Sequence, residues 1–299
     1  MARNAANRPP LRLCIHRGPR HRFSLPAMPA SPLPWSFPLV TGASSGFGVE
    51  FARQLAPSAR ALVLTARRAE ALDTLADSLR RAHPNLLVHC LPCDLACPSE
   101  RRALPDRCAA LGFTPDLLVN NAGLGDYGSF AQANWNKLAQ VLAVNVEALT
   151  HLTYLFVPLL GRHPASGLLN VSSLAGELPM PDFAVYSASK AYVTRLTEAL
   201  RIEFRPRGIS VAALCPGPSP TAFGQTAQRP GEVLPSADFA RQSPERVVRC
   251  GLRALAAGRP DSFPGAAVWW TSRLLRLLPA PLLRLILGLR PRQARPLSQ

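Results

Sequence analysis

Short apolar runs alternate with longer amphipathic stretches between residues 39 and 214, and this alternation limits the fold more than any other feature. Six runs have the length and composition of buried strands, at 39–41, 61–66, 86–91, 117–120, 167–172 and 209–214. Helical spacing of apolar residues lies between them, at 49–56, 69–82, 99–111, 135–160 and 184–204. Strands that alternate with helices require right-handed crossovers, which predicts a single-domain, doubly wound α/β fold: a Rossmann-like parallel sheet covered on both faces.

Pro38 stands directly before the first of these runs. A proline has no N–H group to donate to a neighbouring strand, so it fits poorly in the middle of a sheet. We therefore expect a short or irregular start to the first strand.

The net charge of +16 comes from the two ends of the chain. All eighteen acidic residues lie between Glu50 and Asp261, whereas six of the thirty-four basic residues precede residue 36 and six follow residue 265. Nucleic-acid binding requires the basic surface to belong to the folded body. We expect no nucleic-acid partner.

The ends differ from the middle in composition. Residues 1–35 are rich in arginine and proline, carry no acidic residue and show no periodicity, which predicts a disordered basic extension; an organellar transit segment and a true start at Met28 are alternatives. Residues 36–265 form the predicted catalytic domain. In the appendage 266–299, the run as far as Leu289 is largely apolar apart from three arginines that fall in one wedge of a helical projection: Arg273, Arg276 and Arg284.

Pro279 and Pro281 interrupt this appendage, so two short helices are expected rather than one. A lid, a dimer surface and membrane-surface contact through 266–290 are the alternatives for its role. We expect a homo-oligomer. No uncharged apolar stretch reaches the roughly eighteen residues needed to cross a bilayer.

Seven cysteines without a secretory signal segment indicate reduced thiols and a cytoplasmic protein, with peripheral membrane attachment as an alternative. Three of them, Cys90, Cys93 and Cys97, are close in sequence. They have no fourth ligand at matching spacing, so no metal site is predicted.

The segment from Thr41 to Gly48 reads TGASSGFG, follows the first predicted strand and opens a helix. Backbone amides and a helix N-terminus in this arrangement bind a pyrophosphate, and small residues let the phosphates approach; an ordinary tight turn is the alternative. The predicted phosphate-binding residues are Gly42, Ser44, Ser45, Gly46, Phe47 and Gly48.

Arg67 and Arg68 follow the second predicted strand, where an acidic residue would bind the ribose 2'-hydroxyl of NAD(H). Two guanidinium groups suit a 2'-phosphate instead. The sequence therefore favours NADP(H) over NAD(H), with a solvated basic helix start as the alternative.

Tyr186 and Lys190 lie four residues apart in a predicted helix, so they share one face, and Ser173 follows a buried strand. A tyrosine pKa of about 10 needs about 4 kcal/mol to reach 7. One ammonium at about 4 Å supplies about that much. We therefore expect Lys190 to lower the pKa of Tyr186 and make it a general acid/base; a chance surface pair is the alternative.

With these motifs in hand, the chain resembles the short-chain dehydrogenase/reductase family in its typical single-domain branch. The resemblance rests on TGASSGFG at 41–48, Asp94, NNAG at 120–123, Asn145, Ser173, YSASK at 186–190 and PGPSPT at 216–221. It implies that Tyr186 is the acid/base, that Lys190 lowers its pKa and holds the nicotinamide ribose, and that Ser173 orients the substrate carbonyl. Asn145 would hold a water in the proton relay.

The resemblance also implies further cofactor contacts. Asp94 with Leu95 would contact the adenine, the floor would be lined by Asn120, Asn121, Ala122 and Gly123, and the carboxamide would be covered by Pro216, Gly217 and Thr221. Residue by residue, the alternatives are a helix cap for Asp94, a cap or bend for Asn145 and a simple turn for Asn120 and Asn121. Phe47 and Pro220 depart from the family pattern. Ser172 is the less favoured candidate for the catalytic serine, because the family spacing of thirteen positions to Tyr186 selects Ser173.

The predicted function is an NADP(H)-dependent oxidoreductase that transfers a hydride between nicotinamide and a carbonyl or secondary alcohol. The alternative is a non-catalytic nucleotide-sensing or scaffold protein of the same fold, although intact Ser173, Tyr186 and Lys190 argue against it. A serine hydrolase lacks its GxSxG motif. Four apolar residues in or near a lid-like segment, 221–242, indicate a lipophilic substrate: Phe223, Val233, Leu234 and Phe239.

Overall fold

The computed structural model describes residues 33–234, 241–279, 281–283 and 285. Seven strands form one sheet: β1 (Pro38–Thr41), β2 (Ala61–Thr65), β3 (Leu87–Cys90), β4 (Leu117–Asn120), β5 (Ser166–Val171), β6 (Ile209–Leu214) and β7 (Asp261–Ser262). Nine helices accompany them in the described residues: α1 (Gly46–Leu55), α2 (Ala69–Ala82), α3 (Pro98–Ala110), α4 (Trp135–Leu142), α5 (Leu149–Leu160), α6 (Ala184–Phe204), α7 (Ala222–Ala227), α8 (Pro244–Ala256) and α9 (Ala266–Leu277).

The strands are parallel throughout and lie in the order β3-β2-β1-β4-β5-β6-β7. This confirms the predicted doubly wound fold, and the six predicted strands appear within two residues of their expected bounds. The order reverses between β1 and β4, and ligands of such sheets bind at the carboxyl ends of the strands beside that point.

Two apolar cores cover the sheet, one on each face. In the first, Phe51 of α1, Leu72 of α2 and Leu252 of α8 pack against the strands. In the second, Leu104 of α3 and Phe156 of α5 do the same. Burial on both faces explains why the strands read as continuous apolar runs in the sequence.

Pro38 is the first residue of β1, where its missing N–H interrupts no hydrogen-bonded row. The carboxylate of Asp116 accepts hydrogen bonds from the N–H groups of Ser36 at 2.6 Å and Phe37 at 2.9 Å. A side chain therefore replaces the strand partner at this edge, and the short, irregular start expected from Pro38 is confirmed.

The folded body includes Trp35, which was assigned to the extension 1–35 and is almost fully buried in the first core. Residues 1–32 lie outside the described residues. At the other end, α9 stops at Leu277 before Pro279, as the prolines predicted. The region after it is described for 278–279, 281–283 and 285.

The predicted helical stretch 135–160 is a single continuous run in which α4 and α5 are joined by six π-helical residues, Ala143–Ala148. By length and mean hydropathy this run, Trp135–Leu160, is the one described helix long and apolar enough to cross a membrane. Core helices of soluble proteins meet the same criterion, and Leu149, Leu152 and Phe156 are buried here against the protein.

Candidate active site

The glycine loop fits close to its neighbours at the carboxyl end of β1. Gly42 and Gly46 have φ angles of +65° and +54°, a region that favours glycine. A Cβ atom on Gly48 would lie 2.1 Å from the carbonyl oxygen of Gly42, so only glycine fits there. Ser45 precedes α1 without capping it through its side chain, which leaves the first amides of the helix available to an anion.

Arg68 lies over this loop. Its Nη2 atom donates to the carbonyl oxygen of Ser44 at 3.0 Å and to Ser44 Oγ at 3.2 Å. Arg67 is exposed beside it. The Arg68 guanidinium thus lies at the end of β2 next to the predicted phosphate site.

Asn121 holds the end of β1 in place. Its Nδ2 atom donates to the carbonyl of Thr41 at 2.9 Å, and Thr41 Oγ1 accepts from the backbone N–H groups of Asn121 at 2.9 Å and Ala122 at 3.1 Å. The same hydroxyl donates to Val119. Asn121 therefore positions the glycine loop from the neighbouring strand.

Asn120 has a different role from the predicted one. Its side chain is buried below the site, where Nδ2 donates to Thr153 Oγ1 and Asn170 Oδ1, both at 3.0 Å. Asn170 continues the network to Thr197 at 2.9 Å. These contacts tie β4 and β5 to α5 and α6, so the Asn120 side chain supports the site from beneath.

Cys97, not Asp94, is the N-cap residue of α3, and Asp94 forms a turn just before that helix. The Asp94 Oδ1 atom accepts from the N–H of Ala96 at 3.0 Å, and its own N–H donates to Glu100 Oε2 at 2.7 Å, just before α3. The Leu95 side chain is buried in the second core. Asp94 is partly exposed, whereas Leu95 is buried.

Tyr186, Lys190 and Ser173 meet at the carboxyl end of β5. Tyr186 and Lys190 lie on α6 with only 8% and 4% of their surface exposed, and Lys190 Nζ is 5.8 Å from the centre of the Tyr186 ring. The Ser173 hydroxyl lies near enough to the phenol to lower its pKa in part. Lys190 Nζ donates to the carbonyl oxygen of Val171 at 2.8 Å. The three predicted groups therefore form one buried cluster.

The expected direction of the tyrosine pKa is wrong for this state of the protein. Burial raises the pKa of Tyr186 to about 12, and the nearby Ser173 hydroxyl lowers it only in part. Burial also lowers the pKa of Lys190 to about 8, because the ammonium has lost its water and gained one carbonyl partner. Desolvation by burial is thus the largest cause of both pKa shifts.

Asn145 is fully buried in the π-helical segment, a geometry often found at functional sites. Its side chain accepts from the N–H of Leu124 at 2.8 Å and donates to the Leu124 carbonyl at 2.9 Å and to Ser189 Oγ at 3.0 Å. A Cβ on Gly123 would lie 3.3 Å from Lys190 Nζ and 3.5 Å from Asn145 Oδ1. Gly123 thus lets the polar ends of Asn145 and Lys190 come together.

Ser172 is structural, as the spacing argument predicted. Its hydroxyl donates to the Lys190 carbonyl at 2.8 Å and contacts Thr194 Oγ1 at 2.7 Å, and it is almost fully buried. This serine holds α6 against β5 and leaves Ser173 as the hydroxyl that faces the site.

The loop after β6 closes the site from above. The Pro216 carbonyl accepts from the N–H of Leu174 at 2.8 Å, which fixes the loop next to Ser173. Gly217 follows directly, and Thr221 is the residue before α7, which its side chain does not cap. A Cβ on Gly46 would lie 3.5 Å from Thr221 Cβ, so this loop reaches the glycine loop across the crevice.

An aromatic wall that the sequence indicates only in part surrounds Tyr186. Phe183 stacks on its ring with centroids 4.2 Å apart and an 18° tilt, Tyr127 packs edge-on against Phe183 at 5.6 Å, and Phe223 of α7 lies 5.3 Å from Tyr186. Leu234 packs on the same cluster. The sequence had indicated Phe223 and Leu234, and the position of Phe183, three residues before Tyr186, is a further signal that could have pointed to this wall.

Val233, one of the four predicted apolar contacts, is largely exposed and takes no part in the wall. Phe239 lies outside the described residues. Phe223 and Leu234 are therefore the two that the structure places beside Tyr186.

A buried carboxylate fastens this wall to the body. The Asp126 side chain is 1% exposed and accepts from Arg229 Nε at 3.0 Å, from Arg229 Nη2, and from Lys137 Nζ at 3.2 Å. Arg229 also donates to the Ser129 carbonyl at 2.7 Å. The loop after β4 and the segment after α7 are thereby joined.

Burial alone would raise the pKa of Asp126, but the hydrogen bonds and charges of Arg229 and Lys137 outweigh it and lower that pKa. Elsewhere among the described residues, no group of three or more histidine, cysteine or acidic side chains could hold a metal ion.

The family model described as short chain dehydrogenase matches residues 37–230. The chain belongs to the short-chain dehydrogenase/reductase family. It is 28% identical over 243 residues to the very-long-chain 3-oxoacyl-CoA reductase of Podospora anserina, which covers 80% of this chain and 68% of that protein. The chain spans 62% and 73% of the length of two further curated relatives that it matches.

Two solved structures show the same fold. A short-chain dehydrogenase from Sphingobium yanoikuyae in complex with NADPH has a TM-score of 0.69 at 28% identity, covering 87% of this chain and 98% of that one. A short chain dehydrogenase/reductase from Burkholderia phymatum in complex with NAD has a TM-score of 0.72 at 28% identity, covering 90% and 100%. The family supports an oxidoreductase acting on keto or alcohol groups with a nicotinamide cofactor.

Proposed function

We propose that this protein is an NADP(H)-dependent reductase of lipophilic carbonyl compounds, with Tyr186 as the general acid. The observation that carries the proposal is the buried cluster of Tyr186, Ser173 and Lys190 at the carboxyl end of β5, across the crevice from the glycine loop. A nucleotide-sensing protein would have no use for these three groups in contact.

The residues of the crevice fit a nicotinamide nucleotide. Positive φ at Gly42, the close approach at Gly48 and the uncapped start of α1 form a cradle for phosphates. Arg68 beside Ser44, with Arg67 next to it, would hold a 2'-phosphate, which favours NADP(H). When bound there, the nicotinamide supplies the hydride chemistry.

The protein's own groups handle the proton. A phenol with a raised pKa is fully protonated at neutral pH, so Tyr186 is prepared to give its proton to a carbonyl oxygen that gains negative charge. Ser173 donates a hydrogen bond to the same oxygen and stabilises that charge. Lys190, whose pKa is lowered to about 8, can return a proton to the tyrosine near neutrality.

The aromatic wall supports a lipophilic substrate. Tyr127, Phe183 and Phe223 surround the reacting phenol with ring surface. The apolar chain or ring of a ketone or aldehyde would leave water when it packs on these rings. This burial stabilises the complex by roughly 25 cal/mol per Å² of apolar surface removed from water. The name of the Podospora relative, a reductase of very long acyl chains, agrees with such a pocket.

The test is a screen of ketones and aldehydes with NADPH and NADH, followed by the absorbance of the reduced nicotinamide. Tyr186→Phe should lower turnover by about 10³-fold while NADPH still binds, because only the proton donor is lost. Tyr192→Phe is the matched control: Tyr192 lies on α6 like Tyr186, but its hydroxyl contacts Thr150 of α5, away from the cluster.

Retained turnover in Tyr186→Phe would contradict the proposed acid. Nucleotide binding without turnover of any carbonyl or alcohol, in the wild-type protein, would favour the non-catalytic alternative.

A further inference from the structure

Helix α9 is attached to the protein by one face. Val268 and Ser272 are fully buried, and Trp269 packs on a small core formed by Ala213, Cys215 and Phe263. This fixes the helix against the end of β6 and β7, and its orientation is thus set by the folded body.

The opposite face of α9 is apolar and open. Trp270, Leu274 and Leu277 are 60%, 60% and 81% exposed. At about 100° per residue they fall within about 60° of one another, on the side away from Val268 and Ser272. Leu282 and Leu285 are exposed just beyond. A group of large exposed apolar side chains is typical of an interaction surface.

The charge around this face selects its partner. Residues 266–299 contain six arginines and no acidic residue. The Arg273 guanidinium lies 5.3 Å from the centre of the Trp269 ring, at the edge of the open face. A twofold contact between two copies would bring the Arg273 side chains of both copies to the edge of the same contact, so like charges would oppose it. Apolar side chains that insert, flanked by arginines that bind anionic headgroups, match a lipid surface.

We propose that the outer face of α9 binds an anionic membrane surface peripherally. Leu174, the residue after Ser173, packs on the core that holds α9. Binding at this face therefore leaves about one helix diameter between the lipid, where a lipophilic carbonyl compound is concentrated, and the core on which Leu174 packs. That last point rests on the proposed function, whereas binding itself does not.

The test is flotation of the full-length protein with vesicles of phosphatidylcholine alone or mixed with phosphatidylglycerol. The protein should float with the anionic vesicles and much less with the neutral ones. Changing Trp270 and Leu274 together to glutamine should reduce the bound fraction by at least about tenfold, since apolar insertion is lost and the charge is unchanged. Changing Tyr154 and Ile202 to glutamine is the control, because both are about three-quarters exposed on other helices.

Tyr186→Phe should float like the wild type, which separates membrane binding from the proposed catalysis. Equal flotation of the Trp270/Leu274 variant would overturn the proposal, as would no flotation of the wild type. Concentration-dependent dimers that this variant abolishes, without flotation, would assign the face to a second copy instead.

Discussion

The two sides of the active-site crevice are held together in different ways. On the nucleotide side, Thr41 and Asn121 join adjacent strands β1 and β4 through short polar side chains and backbone groups. On the substrate side, Asp126 and Arg229 join segments 103 residues apart, and aromatic rings from three segments complete the wall. The nucleotide side is thus fixed mainly by backbone, the substrate side by side chains.

This difference means that the two sides respond differently to substitution. In the glycine loop, a Cβ atom added at Gly42 or Gly48 would clash with backbone atoms, so substitution at either position should disturb nucleotide binding. A wall made of side chains can change its shape while the sheet stays intact, as expected where substrate specificity varies on a common fold. Substitutions on each side should therefore separate nucleotide binding from substrate binding.

The largest expected effect is on the nucleotide side. Gly48→Ala places a Cβ 2.1 Å from the Gly42 carbonyl oxygen, and backbone on both sides must shift. We expect a loss of stability of about 3 kcal/mol and NADPH binding weakened by at least about 100-fold. Chemical denaturation and NADPH titration would measure both.

Gly224→Ala is the control on the substrate side. Gly224 lies in α7 with no atom within 4 Å of an added Cβ, and alanine favours a helix. Stability should stay equal or rise slightly. Normal NADPH affinity in Gly48→Ala would show that the nucleotide loop is not fixed as described.

The next effect concerns the ion pair of the substrate side. Asp126→Asn leaves the mostly buried Arg229 without its carboxylate, which should lower the free energy of unfolding by about 2–3 kcal/mol and raise the substrate KM, while the affinity for NADPH is unchanged. Asp77→Asn, which removes an exposed partner of Arg80, should cost less than about 1 kcal/mol. If Asp126→Asn weakened NADPH binding as much as substrate binding, the two sides of the crevice would not be independent.

The pH dependence gives this ion pair a second test. The folded-state pKa of Asp126 is lower than its ordinary value, so its contribution to stability is present above about pH 4 and is lost as the pH falls through the lower folded pKa. The difference between wild type and Asp126→Asn should therefore be constant near neutrality and shrink in acid.

The same division explains what the sequence could predict. TGASSGFG and the Tyr186–Lys190 spacing lie within single strand-turn-helix units, where periodicity fixes the geometry. By contrast, Asp126 meets Arg229, and Phe223 meets Tyr186, only after the chain has folded. The raised pKa of Tyr186 was missed for a related reason: the local spacing showed the ammonium, whereas the burial that outweighs it comes from distant segments.

Helix α8 was missed although its start carries a signal. Ser243 accepts from the N–H of Arg246 at 3.3 Å, and Pro244 and Glu245 occupy the first turn. A serine cap followed by proline and an acidic residue is typical of a helix N-terminus.

A smaller effect tests the coenzyme preference of the nucleotide side. Arg68→Ala removes the guanidinium beside Ser44 and should raise the KM for NADPH by about tenfold, with little change for NADH, because only the former carries the 2'-phosphate. Arg60→Ala, at the opposite end of β2, is a charge-matched control. Equal changes with both coenzymes would assign Arg68 a structural role.

Lys190 lies where the two sides meet, and its titration gives the smallest effect. Burial lowers its folded-state pKa to about 8, whereas in the unfolded chain it is about 10.4. Between these values the unfolded chain binds more protons than the folded one, so the contribution of Lys190 to stability rises with pH. Relative to Lys190→Met, the wild type should gain about 1 kcal/mol between pH 8 and 9. Tyrosines and cysteines that titrate in the same pH range contribute equally to both proteins, so their effect cancels in the difference between the two free energies of unfolding. If this difference did not change with pH, Lys190 would have its ordinary pKa in the folded protein.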